Sequence, residues 1–372
     1  MMVNIISVII GIGSYNDLGL IRSCGEAGIP SVYLICNTSL VIPIYRSRYV
    51  IDYKFIKTDK DVILEELKRL QQKYSDVYVF PASDDAVLIM DMLHNDLPSN
   101  IHTSHANGNI ANLMDKQQMD KLSKTVSLRS PETVVCDVEI RECPIGYPVI
   151  LKPQRSIDGN KSDIRICNDA RSFDNSMNEL HDKGYKSVLV QQYLHNDNSK
   201  EYGITGVAYS DGDVEIHGMI HKIRNRSNIN NFGKYYPNIE NDTIKYLKRF
   251  IQNTGYVGIF DTDFIEYNGE LYFIECNFRN GAYGYCVTKA GFNMPACLMT
   301  RKNEHGHMKD VVFMEERTDV LNVLDGSLSL VKWLKDVFHT NTFLWINMKD
   351  LMPMMRVPYF LKKGKIGFLF RK

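Results

Sequence analysis

The sequence predicts a fold of mixed α/β and α+β class, and two observations lead to this prediction. Over the first hundred or so residues, short apolar runs without polar alternation are separated by helical segments, which is typical of a parallel sheet. From about residue 130 the pattern changes to short strands and turns. A chain of 372 residues is long enough for two or three domains with buried cores.

The N-terminal part alternates strand and helix. The predicted strands cover residues 5–10, 31–36 and 77–80, and the predicted helices cover 17–27, 59–74 and about 84–93. Apolar strands of this kind need helices on both faces of the sheet. We therefore predict a Rossmann-like domain over residues 1–110.

The remaining chain divides into a two-lobed region at 111–300 and an extension at 301–372. A helical connector at 112–124 precedes a small α+β lobe at about 130–190. The elements predicted in and after this lobe are strands 134–135, 148–152, 164–167, 188–193, 201–209 and 214–223, helix 242–254 and a hairpin at 261–279. The extension is predicted to be partly helical, at about 327–338.

Composition excludes several classes of protein. The 44 basic residues balance the 44 acidic ones, so no overall field would attract nucleic acid. The eight cysteines lack Cys-x-x-Cys or zinc spacing and are expected to be free thiols in a reducing compartment. The apolar start has no basic segment before it and breaks at Gly11, which favours a buried strand over a signal peptide. We expect a cytoplasmic protein.

The hairpin at 261–279 carries the clearest chemical signal. Asp263 lies within its first strand, and Glu275, Asn277 and Arg279 follow on the second strand at a spacing of two. Strand side chains alternate between faces, so the last three residues share one face. Two carboxylates, an amide oxygen and a guanidinium suit a magnesium-bound phosphate. Acids on a solvated hairpin face are the alternative, but the flanking apolar residues disfavour it.

The turn decides whether Asp263 joins that face. A two-residue turn at Asn268-Gly269 would pair Thr262 with Glu275 and turn Asp263 to the opposite face. A three-residue loop would bring Asp261, Asp263, Glu275 and Asn277 onto one face. The metal interpretation therefore predicts a three-residue loop.

Three further segments could bind a nucleotide. Lys152 ends a buried strand, where its charge needs a partner such as phosphate, unless it reaches solvent along the surface. The polar turn 155–162, which contains Ser156, could fold over phosphates. The hinge residues and one nearby acid could hold adenine and ribose, or could be an ordinary strand end and a surface acid: Gln191, Gln192, Tyr193, Leu194 and Glu201.

Taken in their order along the chain, these motifs resemble those of the ATP-grasp superfamily, over roughly residues 1–300. The resemblance adds Lys116, in Met114-Asp-Lys116, while its glycine-rich loop retains only Gly159. It implies that Lys116, Lys152 and Ser156 contact the phosphates of ATP, that Gln191, Gln192, Tyr193 and Leu194 hold adenine, and that Glu201 binds ribose. It also implies that Asp263, Glu275 and Asn277 bind two Mg²⁺ ions, for which Mn²⁺ is an alternative, and that Arg279 lies at the transferred phosphate.

Within the superfamily, His221-Lys-Ile-Arg224 followed by Phe232-Gly233 resembles the carboxylate–amine ligases, which include D-aspartate ligases. This implies that Lys222 and Arg224 neutralise the γ-phosphate and a substrate carboxylate, although the asparagine-rich stretch 225–231 departs from the family pattern. The implied reaction joins a small-molecule carboxylate to an amine, on an amino acid, a peptide or a cell-surface precursor. The alternatives are a ligase of nucleotide or carbamoyl metabolism, which would be carbamoyl-phosphate synthase-like, and a non-catalytic ATP-binding regulator.

Two other regions are interpreted more conservatively. Residues 11–16 and 83–85 follow strands at the ligand-binding edge of a parallel sheet, but Ser83 is expected mainly to cap a helix. The basic, aromatic C-terminal tail could contact a membrane surface. We expect instead that it packs on the body or contributes to a homodimer.

Overall fold

The computed structural model describes residues 5–36, 42–153, 163–196, 198–226, 229–239, 241–301 and 308–354. Within these ranges the chain forms three β-sheets and eleven α-helices. No helix in the described part of the chain is long and apolar enough to cross a bilayer.

The N-terminal sheet is parallel throughout, as predicted, with the strand order β3-β2-β1-β4-β5. Its strands are β1 (Ile5–Gly11), β2 (Ser31–Ile35), β3 (Val50–Phe55), β4 (Asp76–Pro81) and β5 (Ile101–Thr103). Its helices are α1 (Tyr15–Glu26), α2 (Lys60–Gln71) and α3 (Asp84–Leu93). Alternate residues of β1 enter different cores, since Ile9 packs with α1 while Ile10 packs with α2 and α3.

The sequence prediction missed both edge strands of this sheet. In β3 the apolar residues Ile51, Tyr53 and Phe55 are exposed, and charged residues stand between them. β5 has only three residues. Neither strand has the continuous buried apolar run that identifies the central strands.

The predicted connector 112–124 consists of two helices, α4 (Ile110–Leu113) and α5 (Lys116–Thr125). They separate because Asp115 caps α5, accepting hydrogen bonds from the amides of Gln117 at 2.9 Å and Gln118 at 3.0 Å. This break places Lys116 at the first position of α5.

The small lobe contains an antiparallel four-stranded sheet of order β6-β9-β7-β8. Its elements are β6 (Thr133–Asp137), β7 (Val149–Lys152), β8 (Arg165–Cys167), α6 (Ala170–Asp182) and β9 (Ser187–Gln192). Phe173, Met177 and Leu180 recur at helical spacing on α6 and are fully buried against the sheet.

The large sheet has the order β15-β14-β10-β12-β13-β16-β17, and β11 pairs with β10. Its strands are β10 (Lys200–Ala208), β11 (Val214–Glu215), β12 (Gly218–Arg226), β13 (Ile229–Pro237), β14 (Gly258–Tyr267), β15 (Glu270–Asn277), β16 (Val311–Met314) and β17 (Thr342–Phe343). The associated helices are α7 (Asp242–Thr254), α8 (Gly284–Ala290), α9 (Met294–Thr300), α10 (Glu316–Leu324) and α11 (Leu330–His339). The single strand expected at 214–223 is thus divided, and the predicted extension contributes β16 and β17 to this sheet.

Candidate active site

The turn of the hairpin differs from the prediction. Tyr267 pairs directly with Glu270, so Asn268-Gly269 is a two-residue turn. Asn268 has a φ of 54° and Gly269 a φ of 81°, and positive values at both positions are what a type I′ turn requires. The predicted three-residue loop was therefore wrong.

A β-bulge supplies the change of face instead. Phe264 pairs with Phe273, whereas the residue before it, Asp263, pairs with Glu275. Ile274 is therefore an extra residue in β15. Beyond the bulge, Asp261 pairs with Asn277. Directly opposed residues of an antiparallel pair project to the same face, so all four polar side chains share one face after all.

These oxygen donors fit a magnesium ion. Asp263 and Glu275 are cross-strand neighbours, and Asn277 follows on the same face, which provides two carboxylates and one amide oxygen. Among the described residues, no group of three or more His, Cys, Asp or Glu residues has metal-binding geometry. The candidate set depends on an asparagine, and Asp263 here forms an ion pair with Lys222.

Asp261 lies beside this set and is almost completely buried. Its buried Oδ1 and the buried hydroxyl of Tyr283 have no other hydrogen-bond partner in the described structure, and the contact between these two side chains favours the ionised form of Asp261, which lowers its pKa. Burial, reinforced by the charge of Asp263, raises the pKa of Asp261 above its ordinary value. Because Asp261 lies on the same face as Asp263 and Asn277, it stays a candidate for the metal site.

The two predicted phosphate-binding lysines lie near one end of the hairpin. Lys116, Lys152, Gln191 and Glu275 line one small cavity. The Nζ of Lys152 donates to Oε1 of Gln191 at 2.9 Å. Burial, together with the nearby Lys116, lowers the pKa of Lys152 to about 8, while Glu275 and Asp263 oppose this shift. An anion bound in this cavity would stabilise the protonated form of Lys152.

The hinge after β9 is anchored through its backbone. The amide of Gln192 donates to the carbonyl of Glu132 at 2.8 Å, and that of Tyr193 donates to Pro148 at 2.9 Å. Leu194 is buried, and the ring of Tyr193 stacks on His195. The predicted phosphate residue Ser156 lies outside the described residues.

Glu201 is exposed at the start of β10 and pairs with Lys222 of β12 in the strand register. Its Oε2 accepts a hydrogen bond from Nδ2 of Asn225 at 2.8 Å. The predicted ribose acid and the predicted phosphate cation therefore lie side by side on the large sheet.

Arg279 connects the hairpin to the parallel sheet. Its Nε donates to Oδ1 of Asp84 at 2.6 Å, and its Nη2 lies 3.4 Å from Oδ1 of Asn277. Asp84 follows Ser83, which caps α3 as predicted. The sequence placed Asp84 within residues 83–85 at the ligand-binding edge of the sheet, but it did not predict the contact with Arg279, which spans 195 residues of sequence.

Arg224 has partners that the sequence prediction missed. Its Nε and Nη2 donate to the two carboxylate oxygens of Asp319 at 2.6 and 2.7 Å, and its Nη1 donates to Asp336 at 2.9 Å. Lys222, two residues earlier, pairs with Asp263, and its Nζ lies 5.6 Å from the centroid of the Tyr283 ring. Thus Lys222 reaches the candidate metal residues, whereas Arg224 is held by α10 and α11.

The chain resembles curated proteins over about half its length. It is 24% identical over 202 residues to a D-aspartate ligase of Enterococcus faecium, covering 49% of this chain and 48% of that protein. It is 28% identical over 211 residues to the carbamoyl phosphate synthase large chain of Campylobacter jejuni, covering 54% of this chain and 19% of that one. The chain thus spans about half the length of the first relative and about a fifth of the second. No protein-family model matches it.

The fold is shared over most of the chain with a solved structure, the ADP complex of an N5-carboxyaminoimidazole ribonucleotide synthetase. The TM-score is 0.65 at 14% sequence identity, and the match covers 88% of this chain and 87% of that one. The chain thus resembles the ATP-grasp carboxylate–amine ligases in its motif order and in its similarity to the two curated enzymes, and it shares the fold of this synthetase.

Proposed function

We propose that the protein is an ATP-dependent ligase that joins a carboxylate to an amine. In the first step, a substrate carboxylate oxygen attacks the γ-phosphorus of ATP, and the bond to the β,γ-bridging oxygen breaks to release ADP. In the second, an amine attacks the acyl carbon, phosphate leaves and the amine loses a proton. The products are an amide, ADP and phosphate.

The observation that carries this proposal is the juxtaposition around Glu275. This carboxylate lies opposite Asp263, and it lines the same cavity as Lys116 and Lys152. Carboxylates and lysines together can bind a magnesium–nucleotide complex, because the carboxylates can hold the metal and the lysines can bind the phosphates. A protein with this fold was solved as an ADP complex, which supports a nucleotide as the proposed ligand.

The proposed roles follow from these positions. Asp263, Glu275 and Asn277 would hold Mg²⁺, which supplies charge neutralisation for the phosphates when bound. Lys222 would turn from Asp263 to the γ-phosphate, which would leave the Asp263 carboxylate to hold Mg²⁺. Arg279 would stabilise charge on the transferred phosphoryl group.

The domain boundaries give the proposed cleft its surroundings. We propose that the Rossmann-like unit, residues 1–110, supplies one wall of the substrate site through residues 11–16 and 83–85. The small lobe at about 130–190 would close over ATP and exclude water, which otherwise hydrolyses an acyl phosphate. Small-molecule acids and amines are the proposed substrates. A homodimer stays a prediction, and the basic tail lies outside the described residues.

A screen of acid–amine pairs for ADP release tests the proposal. Glu275→Gln is expected to abolish release without unfolding the chain, because it removes one carboxylate of the metal pair. Glu270→Gln is the matched control, since this exposed acid lies on the same strand next to the turn. Undiminished ADP release by the Glu275 variant would contradict the metal assignment.

The carbamoyl phosphate synthase similarity favours one alternative substrate, bicarbonate. The same screen therefore includes bicarbonate with ammonia and without any other acid. ADP release under that condition alone would support carbamoyl chemistry over ligation of an organic acid. Tight ATP binding with no release under any condition would support a regulatory protein.

A further inference from the structure

Arg317 is a half-buried cation that the proposed mechanism leaves unused. It lies in the first turn of α10, and its guanidinium carbon is 4.7 Å from the centroid of the Trp345 ring. In the described part of the chain it has no hydrogen-bond or ion-pair partner. Its neighbours differ, since Arg224 is bound by Asp319 and Asp336 and Arg226 by Asp325.

The acids next to Arg317 are engaged elsewhere. Glu315 accepts hydrogen bonds from Nε1 of Trp345 and from the amide and hydroxyl of Thr318. The carboxylate of Glu316 accepts three backbone amides, those of Leu344 at 3.2 Å, Trp345 at 3.0 Å and Ile346 at 2.6 Å. In the described structure neither carboxylate accepts a hydrogen bond from the guanidinium of Arg317, so its donors are available to a ligand.

Contacts connect Arg317 to the proposed cleft from two sides. The Trp345 ring packs edge-on against Tyr15, which begins α1. The next residue, Asn16, donates to the carbonyl of Asn280 at 3.0 Å, and Asn280 follows Arg279. On the other side, α10 carries Asp319, which binds Arg224 two residues from Lys222.

We infer that Arg317, backed by the Trp345 ring, binds a free carboxylate of the substrate that is not the one phosphorylated. This inference rests on the proposed ligase function and names its substrate class, an amino acid or peptide that keeps one carboxylate. A planar guanidinium matches a carboxylate in two parallel hydrogen bonds. An aromatic ring behind it fixes the plane of the fork and excludes water from one side. The lysines near Glu275 are left for the phosphates of ATP.

Fluorescence gives a test that does not depend on turnover. The chain has two tryptophans, so a Trp333→Phe background leaves Trp345 as the only reporter. The probes are D- and L-alanine, D- and L-aspartate and the methyl esters of each. Saturable changes are expected with at least one free acid. Arg317→Gln should weaken that binding by about tenfold to a hundredfold, with partial recovery in Arg317→Lys. The esters should bind the parent and the glutamine variant equally.

Arg226→Gln is the matched control, because it breaks a contact of the α10 region without touching Trp345. Thermal unfolding of every variant checks that the fold is retained. Three results would overturn the inference: no saturable response to any free acid, equal binding of acid and ester by the parent, or equal losses in the Arg317 and Arg226 variants.

The ADP screen separates this inference from the proposed function. Carboxylate binding that needs Arg317, without ADP release for any acid–amine pair, would support the site and contradict the ligase. ADP release with an unchanged KM in Arg317→Gln would support the ligase and overturn the role of Arg317. A raised KM for the free acid, with kcat little changed, is the expected result.

Discussion

At the scale of single residues, two cations of the candidate site are paired with carboxylates. Lys222 pairs with Asp263, and Arg279 pairs with Asp84. In each pair, a residue expected to bind metal or phosphate forms an ion pair with a side chain of opposite charge. Binding of a magnesium nucleotide and a carboxylate would exchange partners rather than expose buried charge, which keeps the desolvation cost low.

The lowered pKa of Lys152 predicts that ATP binding is linked to proton uptake. Burial and Lys116 lower its pKa to about 8, so above that pH the nucleotide-free protein loses the proton that a phosphate would retain. ATP binding at about pH 8.5 should therefore take up a proton, and binding at about pH 7 should not. Calorimetry in two buffers of different ionisation enthalpy measures the uptake. Lys152→Met should abolish the buffer dependence, and a parent protein without it would contradict the prediction.

Arg224 allows a structural contribution to be separated from a substrate role. Arg224→Gln should lower the free energy of unfolding by about 3 kcal/mol, because it leaves the fully buried Asp319 without its partner. Denaturant unfolding measures the loss. The double variant Arg224→Gln/Asp319→Asn should regain most of the stability. Activity that returns with the stability would contradict a substrate contact by Arg224.

At the scale of elements, the hairpin combines a tight turn with a bulge. The turn aligns the half of the hairpin next to it, and Ile274 changes the register before the acids begin. The sequence pattern showed that the acids share one face only if one strand carries an extra residue before them. A longer loop and a bulge each supply such a residue, so the pattern did not distinguish between them. The packing of Ile274, together with Phe273, around the Lys116 and Lys152 cavity is a tertiary feature.

Gly269→Ala tests which feature sets the register at the acids. The φ of 81° at this position costs an alanine about 1 kcal/mol in the free energy of unfolding. Affinity for ATP with Mg²⁺ should be unchanged, because the bulge rather than the turn aligns Asp263 with Glu275. Urea unfolding and calorimetry measure the two quantities. A loss of affinity that exceeds the loss of stability would mean that the turn sets the register.

At the scale of the whole molecule, the two ends of the described chain are joined by a buried ion pair. Arg22 of α1 donates from Nε to Oδ2 of Asp350 at 3.0 Å, and both side chains are fully buried. Its remaining donors reach the carbonyls of Leu344 and Trp345 at 2.9 and 2.8 Å. The segment that carries Trp345 is thereby held against α1.

Asp350→Ala should lower the free energy of unfolding by about 4 kcal/mol, because it leaves a buried guanidinium without its counter-charge. Asp211→Ala is the control, since its ion pair with Arg301 is exposed and should contribute less than about 1 kcal/mol. Circular dichroism during denaturation measures both. Similar losses in the two variants would contradict the importance of burial.

The sequence by itself determined the parallel sheet, most strands of the two lobes and the residues at which phosphate and metal chemistry was expected. It could do so because apolar periodicity and the spacing of acids along one strand are local properties. Only the tertiary structure decided that a bulge aligns Asp263 with Glu275, that Asp84 holds Arg279 and that Asp319 holds Arg224. These contacts join residues that are distant in sequence or depend on one extra residue in a strand. Electrostatic pairing and strand register are set by the packing of whole elements, and a linear pattern does not encode them.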